Sequence, residues 1–292
     1  MSTAQLIPLV QTFVLSRQAA GLSPRTVEFY DAHLHAFLDA LPPNPTADHL
    51  NASAIEGYLA QRQQEVKPRS VHAAWRAIRA FCNWMQTRQE QFPEWTNPVP
   101  HITGPKLPRK KVPPIERDAL DKLVKACKGH NFLDHRDKAI FLVLASSGLR
   151  ASELLSLRQG DVNLNNGLVH IEQGKGGADR IAIVSRKARL ALADYLGHLE
   201  RRKPATPLWW SQRGPLTYSG LASMMRKRAE EADVPRPGAH AFRRRWATDM
   251  VPKLGTHVVQ ALGGWADVAS MRPYVQLRPE DLLDAYESNM ED

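Results

Sequence analysis

Several short stretches of the sequence contain side chains that could cleave a phosphodiester without a metal ion. Such cleavage needs a nucleophile, cations and fixed donors on the non-bridging oxygens, and a proton for the leaving oxygen. Arginine suits the oxygens because its planar fork keeps its charge, and lysine suits the acid role because its ammonium can lose a proton. The candidates for these roles are Arg150, Lys175, His240, Arg243, Trp265 and Tyr274, with Glu153 as a supporting carboxylate.

The local patterns around these residues fit such roles but do not prove them. Arg150 follows Gly148 near a predicted helix end, where Glu153 could hold its side chain. His240 and Arg243 are three residues apart, so on a helix they project from one face. Taken singly, each residue also fits an ordinary surface charge, turn or core position. The order and spacing of the whole set therefore carry the inference.

The elements predicted in the second part of the chain are helices around one small hairpin. Apolar runs at Leu168–Ile171 and Arg180–Val184 flank a glycine-rich turn, which places Lys175 at a hairpin tip. Helical periodicity covers 116–128, 134–147, 186–202, 217–232, 241–253, 255–263 and 280–290.

The first part of the chain is predicted to be a small helical domain. Ser23 and Asn51 are typical residues for the start of a helix, and another helix follows Ser70. That last helix has an apolar stripe containing Cys82, and its polar side carries Arg76 and Arg79 one turn apart. Those two arginines form either a solvated face or a surface that lies along DNA phosphates.

A proline-rich, basic segment separates the two parts. It predicts a helical domain over residues 1–95, a linker over 96–114 and a second domain over 115–292. The fold class is mainly α with a small antiparallel sheet. The basic residues of the linker could cross a DNA backbone or simply be solvated, and they are Lys106, Arg109, Lys110 and Lys111.

Composition narrows the class of partner. The chain has 292 residues, a net charge of +9 and a pI near 9.7, which favours a polyanion. The start of the chain lacks the pattern of a signal peptide, and no apolar run is long enough for a membrane span. Cys82 and Cys127 do not make a disulfide framework, which fits a reducing, cytoplasmic compartment. The cleavage chemistry outlined above uses side chains alone, so we expect neither a cofactor nor a metal ion.

In the order and spacing of its motifs the sequence resembles the tyrosine recombinase (phage integrase) family, which includes Xer and Cre recombinases. The motifs are Ser147-Gly148-Leu149-Arg150 with Glu153, Lys175, His240-Ala-Phe-Arg243, Trp265, and Tyr274 nine residues later. The resemblance covers essentially the whole chain and is strongest between residues 145 and 275. It implies an N-terminal helical core-binding (SAM-like) domain over 1–95 and a C-terminal mixed α/β catalytic domain.

The sequence departs from its relatives at three places. Many have a second hairpin lysine where this chain has Ala178, which leaves Lys175 as the one candidate there. Many bacterial members have histidine at Trp265, and tryptophan can donate a hydrogen bond but cannot transfer a proton as a base. Xer enzymes usually show His-x-Leu-Arg-His and Leu-Gly-His-x-Ser, unlike the motifs at 240–244 and 262–265. A phage or mobile-element integrase is therefore favoured over a chromosome-dimer resolvase.

The resemblance also implies the reaction and its partners. Tyr274 would attack the scissile phosphate to form a 3′-phosphotyrosyl link, and Lys175 would protonate the 5′ oxygen. Arg150, Arg243, His240 and Trp265 would hold the non-bridging oxygens. Family members act as tetramers on two double-stranded DNA sites with short inverted-repeat cores, sometimes with accessory bending or directionality factors.

Two expectations concern the ends of the chain. The helix predicted near Glu280–Tyr286 docks into a neighbouring subunit in relatives, although it could equally pack on its own domain. The helical domain begins almost at Met1, so we expect no extra arm-binding domain of the lambda type.

Other functions remain open at this point. A type IB topoisomerase uses a similar set of residues but would relax DNA without sequence preference. A catalytically silent DNA-binding regulator could share the fold, although a complete catalytic set disfavours it. A metal nuclease is poorly supported, since no carboxylate or His/Cys cluster has the spacing of metal ligands.

Overall fold

The computed structural model describes residues 4–107, 113–129, 131–172, 179–199 and 203–275, together with Leu283 and Glu287. In these residues the chain is mainly helical with two small antiparallel sheets, which confirms the predicted fold class. The chain divides into two compact units, 1–110 and 111–292, and each has its own apolar core. None of the described helices has the length and apolar character required to cross a bilayer.

The first unit is built from helices whose starts are set by local hydrogen bonds. The Ser23 hydroxyl accepts from the Thr26 N–H at 3.2 Å, and the Asn51 side chain accepts from the Ala54 N–H at 3.0 Å, as predicted for helix caps. The helix predicted after Ser70 begins two residues earlier than that serine. The helices are α1 (Leu6–Ala19), α2 (Pro24–Leu38), α3 (Ala52–Glu65) and α4 (Pro68–Gln86).

Helix α4 is amphipathic in the way its sequence predicts. Trp75, Phe81 and Cys82 are buried in the core of the first unit. Arg76 and Arg79 on the other side are exposed. The apolar stripe therefore fixes the helix to its unit and leaves both arginines available to a partner.

The start of the predicted linker differs from a free connector. Ile102 is buried and Val99 packs against the core of the first unit, on a short 3-10 turn at Val99–His101. Asn97 is also buried and donates to the Asn83 side chain at 3.2 Å. Apolar residues between the prolines give this stretch a surface to bury, so residues 96–102 belong structurally to the first unit.

The second unit surrounds helix α6 (Phe132–Ser147), which packs against α8 (Arg186–Gly197) and α10 (Ala239–Leu254). Helix α8 ends at Gly197, so the prediction that it reaches residue 202 was wrong over residues 198 and 199. Glycine is a poor helix former, so Gly197 favours the end of the helix at that position. The other helices are α5 (Arg117–Ala126), α7 (Ala151–Ser156), α9 (Tyr218–Glu231), α11 (Thr256–Gly263) and α12 (Val268–Met271).

The predicted hairpin is present and pairs in one register. Strand β1 (Leu168–Ile171) is antiparallel to β2 (Arg180–Ile183), with Leu168 opposite Ile183 and Ile171 opposite Arg180. Arg180 and Ala182 face the interior. A second pair, β3 (Trp210–Ser211) and β4 (Gly214–Pro215), was not predicted because two residues are too short for a periodic signal.

A buried ion-pair network ties α6 to α9. The Asp137 carboxylate accepts from Arg136 Nε and from Arg228 Nε, both at 2.8 Å. Arg228 also donates to Asp134 at 2.5 Å. Because each buried charge has an opposite partner, the network holds the two helices in one relative position.

Candidate active site

Arg150 lies on the tight turn between α6 and α7. Its N–H donates to Glu153 Oε2 at 2.7 Å, so the carboxylate caps the first turn of α7. Its guanidinium donates through Nη1 to Glu153 Oε1 at 2.5 Å and through Nη2 to the Gly264 carbonyl at 2.8 Å. The side chain remains 35% exposed, so it is fixed in direction and still accessible to a ligand.

Gly148 makes this turn possible. Its φ of +63° lies in the left-handed region, and a Cβ there would be 2.2 Å from Trp246 Cε3. We expect Gly148→Ala to lower the free energy of unfolding by about 2–5 kcal/mol, from backbone strain and overpacking together. Urea denaturation measures this. The matched variant is Gly238→Ala, whose Cβ meets nothing within 4 Å; equal losses in both would contradict the explanation.

Helix α10 carries His240 and Arg243 one turn apart. Arg243 is 1% exposed, and its guanidinium donates to the carbonyls of Gly148 and Gly263. Its Cζ stacks 3.9 Å from the centroid of the Trp265 ring. Burial, followed by the neighbouring Arg150, lowers the pKa of Arg243 to about 9. A buried cation with this environment is stabilised when an anion such as a phosphate binds beside it.

The end of helix α11 collects three arginines. The carbonyls of Leu262, Gly263 and Gly264 accept from Arg180, Arg243 and Arg150 respectively. The last carbonyls of a helix have no intrahelical partner and carry partial negative charge, so they favour cations. The end of α11 thus holds three guanidiniums on consecutive carbonyls, and one of them, that of Arg243, stacks on Trp265.

Trp265 and Tyr274 complete the cluster. The Trp265 side chain is buried, and its Nε1 has no hydrogen-bond partner among the described residues. Tyr274 is half-buried on a 3-10 turn, with its ring centroid 5.2 Å from that of Trp265 and 6.2 Å from that of His240. Arg243 Cζ lies 5.6 Å from the tyrosine ring centroid. The structure therefore brings Arg150, Glu153, His240, Arg243, Trp265 and Tyr274 together.

His240 is expected to make stability depend on pH. Burial, followed by the positive charges of Arg243, Arg244 and Arg150, lowers its pKa from 6.5. The pKa of His240 is therefore lower in the folded protein than in the unfolded chain. The folded state is fully stable above pH 6.5, where the ring is neutral in both states, and it loses stability as the pH falls through that value and below. We expect His240→Asn to reduce the fall in unfolding midpoint between pH 7 and 5. An unchanged fall in thermal melts would contradict this assignment.

Other predicted site residues lie elsewhere or outside the described part of the chain. Arg76, Arg79 and Lys106 are exposed in the first unit. Lys175 lies outside the described residues, as do Arg109, Lys110 and Lys111. Within the part that the structure describes, no group of three or more His, Cys, Asp or Glu side chains could hold a metal ion.

Two arginines of the cluster were missed. Arg244 donates to the Pro273 carbonyl, and its Cζ lies 5.2 Å from the Tyr274 ring centroid. Arg180 is buried and donates to Glu153. The alternation of strand β2 could have indicated Arg180. It places this arginine on the inward-facing side of the strand, where a charged side chain requires a buried partner.

Comparison with known proteins identifies the class. Residues 114–281, more than half of the chain, match the model of the phage integrase family. The chain is similar to tyrosine recombinase XerD of Listeria monocytogenes, 28% identical over 278 residues, covering 91% of this chain and 92% of that protein. It is also similar to XerC of Chromobacterium violaceum, 26% identical over 285 residues, covering 95% and 93%.

Solved structures share the fold. The Tn1549 transposon integrase in complex with transposon right end DNA has a TM-score of 0.73 at 15% identity, covering 97% of this chain and 98% of that one. A lambda integrase tetramer bound to a Holliday junction has a TM-score of 0.73 at 17% identity, covering 94% and 78%. At sequence identities this low, the similarity supports a shared fold alone.

The family match, the full-length similarity and the cationic cluster around one tyrosine agree. The chain belongs to the phage integrase family. It is a site-specific tyrosine recombinase that acts on DNA.

Proposed function

We propose that Tyr274 is the nucleophile and that the surrounding cations bind the scissile phosphate. The Tyr274 hydroxyl gives its proton to water as its oxygen forms a bond to phosphorus, the bond to the 5′ oxygen breaks, and the resulting 3′-phosphotyrosyl link conserves the energy for religation. Arg150, His240, Arg243 and Trp265 hold the non-bridging oxygens, and Lys175 gives its proton to the leaving oxygen. Glu153 supports Arg150 and takes no part in the chemistry.

The observation that carries this proposal is a pair of buried donors without partners beside the tyrosine. Arg243 Nε and Trp265 Nε1 are both buried and have no acceptor among the described residues. Buried polar groups normally have hydrogen-bond partners, and a buried donor without one costs about 1–3 kcal/mol of stability. A phosphate oxygen next to Tyr274 would satisfy donors of this kind.

We further propose that basic residues outside this cluster hold the DNA backbone. Arg76 and Arg79 are exposed on one side of α4, and Lys106 is exposed near the end of the first unit. Three further basic residues follow Lys106 in the sequence, namely Arg109, Lys110 and Lys111. Contacts of this type position a duplex without reading its sequence and weaken as salt rises.

The natural reaction is proposed to be integration or excision of a phage or mobile element in a bacterial or host-cell cytoplasm. The departures of residues 240–244 and 262–265 from the usual Xer motifs support it. A Xer-type resolution reaction is the second candidate, because the curated relatives XerD and XerC match at 28% and 26% identity over nearly the full length.

The active assembly is proposed to be a homotetramer on two short inverted-repeat sites, as in the lambda integrase tetramer bound to a Holliday junction. Leu283 lies in the predicted C-terminal interaction helix, and the residue is 56% exposed. We expect deletion of residues 279–292 to leave binding to one half-site intact and to weaken cooperative binding to two. A mobility-shift titration on one-site and two-site duplexes measures this, and unchanged cooperativity would exclude the interaction role.

The decisive experiment maps covalent adducts. The purified protein is incubated with DNA from its own replicon, the reaction is stopped with SDS, and protein-linked fragments are sequenced, with Tyr274→Phe in parallel. Adducts at one short, roughly palindromic site that vanish in the variant are expected. Scattered adducts would indicate a topoisomerase-like activity, and tight binding without adducts would indicate a silent regulator.

A further inference from the structure

Arg180 belongs to the active-site cluster although it is one of its least accessible cations. It begins strand β2, and its side chain points inward and is 7% exposed. By contrast, the Arg150 side chain is 35% exposed. A buried guanidinium is costly unless its donors and its charge are satisfied, so its contacts indicate why it is there.

The contacts of Arg180 are made to the groups that hold Arg150. Its Nη2 donates to Glu153 Oε2 at 2.8 Å, the same oxygen that accepts from the Arg150 N–H at 2.7 Å. Its Nη1 donates to the Leu262 carbonyl, next to the two carbonyls that accept from Arg243 and Arg150. Arg180 thus links β2, the start of α7 and the end of α11.

Sharing of the Glu153 carboxylate has a chemical consequence. Glu153 is buried, and its charge is divided between Arg150 and Arg180. Without Arg180, Arg150 would be the remaining guanidinium on that carboxylate and would be drawn more strongly to it. An arginine held tightly by a carboxylate is a poorer donor to the phosphate.

We propose that Arg180 is a positioning residue for strand cleavage: it shares Glu153 and holds the end of α11, so that Arg150 and Trp265 face the scissile phosphate. This inference rests on the roles proposed above for Arg150 and Trp265. Both terminal nitrogens of Arg180 are occupied by protein acceptors. Its Nε has no partner among the described residues, so a direct phosphate contact is the alternative that the test must separate.

The test compares Arg180→Met and Arg180→Lys with Arg189→Met. Arg189 is the matched control, because it also holds backbone carbonyls, those of Leu164 and Asn165, but makes no bond to Glu153 or α11 among the described residues. The substrate is a duplex nicked beside the mapped cleavage site. Two quantities are measured: the single-turnover rate of covalent adduct formation and the Kd for DNA by mobility shift.

We expect Arg180→Met to slow adduct formation about 10–100-fold, because small displacements of catalytic groups have effects of that size. The Kd should stay close to that of the unchanged protein, and Arg180→Lys should recover part of the rate because its ammonium can still pair with Glu153. A double-mutant cycle compares Arg180→Met in the unchanged protein and in Glu153→Gln. In the Glu153→Gln background, Arg180→Met should slow adduct formation much less than it does in the unchanged protein.

Three results would overturn the proposal: an unchanged rate in Arg180→Met, a Kd that weakens in step with the rate, or full additivity with Glu153→Gln. If circular dichroism shows that Arg180→Met does not fold, the same cycle with Arg180→Lys decides. The proposed function fails separately, if the unchanged protein forms no adduct or Tyr274→Phe still forms one.

Discussion

Tyr274→Phe is expected to abolish the covalent protein–DNA adduct while leaving DNA affinity close to that of the unchanged protein. The substitution removes the attacking oxygen and keeps the ring that packs beside Trp265 and His240. Loss of a nucleophile costs at least about a thousandfold in rate, so the adduct should fall below detection on an SDS gel. Filter binding or mobility shift measures affinity in parallel.

The matched control for this variant is Tyr218→Phe. Tyr218 is a 55% exposed tyrosine at the start of α9 in the same unit. It should form adduct at the normal rate. Adduct that persists in Tyr274→Phe, or a loss of binding as large as the loss of cleavage, would remove Tyr274 from the nucleophile role.

Arg150→Lys is expected to slow adduct formation about 100–1000-fold, equivalent to roughly 2.7–4 kcal/mol of transition-state stabilisation. The lysine keeps the positive charge but cannot donate to Glu153 and the Gly264 carbonyl while also meeting a phosphate, as the planar guanidinium can. Single-turnover kinetics on the nicked duplex measure the rate, and thermal melting checks the fold.

Arg213→Lys provides the matched control for that substitution. Arg213 is an exposed arginine in the short turn between β3 and β4, and within the described part of the chain no contact joins it to the cluster around Tyr274. It should cleave normally. If both variants slow cleavage alike, the effect of Arg150→Lys reflects general attraction to DNA and says nothing about the phosphate.

Local features of the fold could be predicted from the sequence. The caps at Ser23 and Asn51 depend on hydrogen bonds that span three residues. The register of the hairpin follows from alternation within two short strands. His240 and Arg243 share a face because of helical spacing alone. Each of these depends on residues close in the chain, where sequence and conformation are directly related.

The chemical types in the site were also readable from the sequence. Phosphodiester cleavage requires a nucleophile, fixed cations and a proton donor, and residues of these types are present. Their order and spacing pointed to such a centre through the resemblance to tyrosine recombinases. The packing of residues 96–102 was less accessible, since it depends on whether apolar surface finds a core to bury against.

The sequence by itself determined which side chains are available and which local elements carry them. Only the tertiary structure decided that the carbonyls of Leu262, Gly263 and Gly264 each take a guanidinium from a different element. It also decided that Glu153 is shared by Arg150 and Arg180. Glu153 and Arg180 are 27 residues apart along the chain. Buried charges and helix-end carbonyls must find partners wherever the fold brings them, and those partners are distant in sequence.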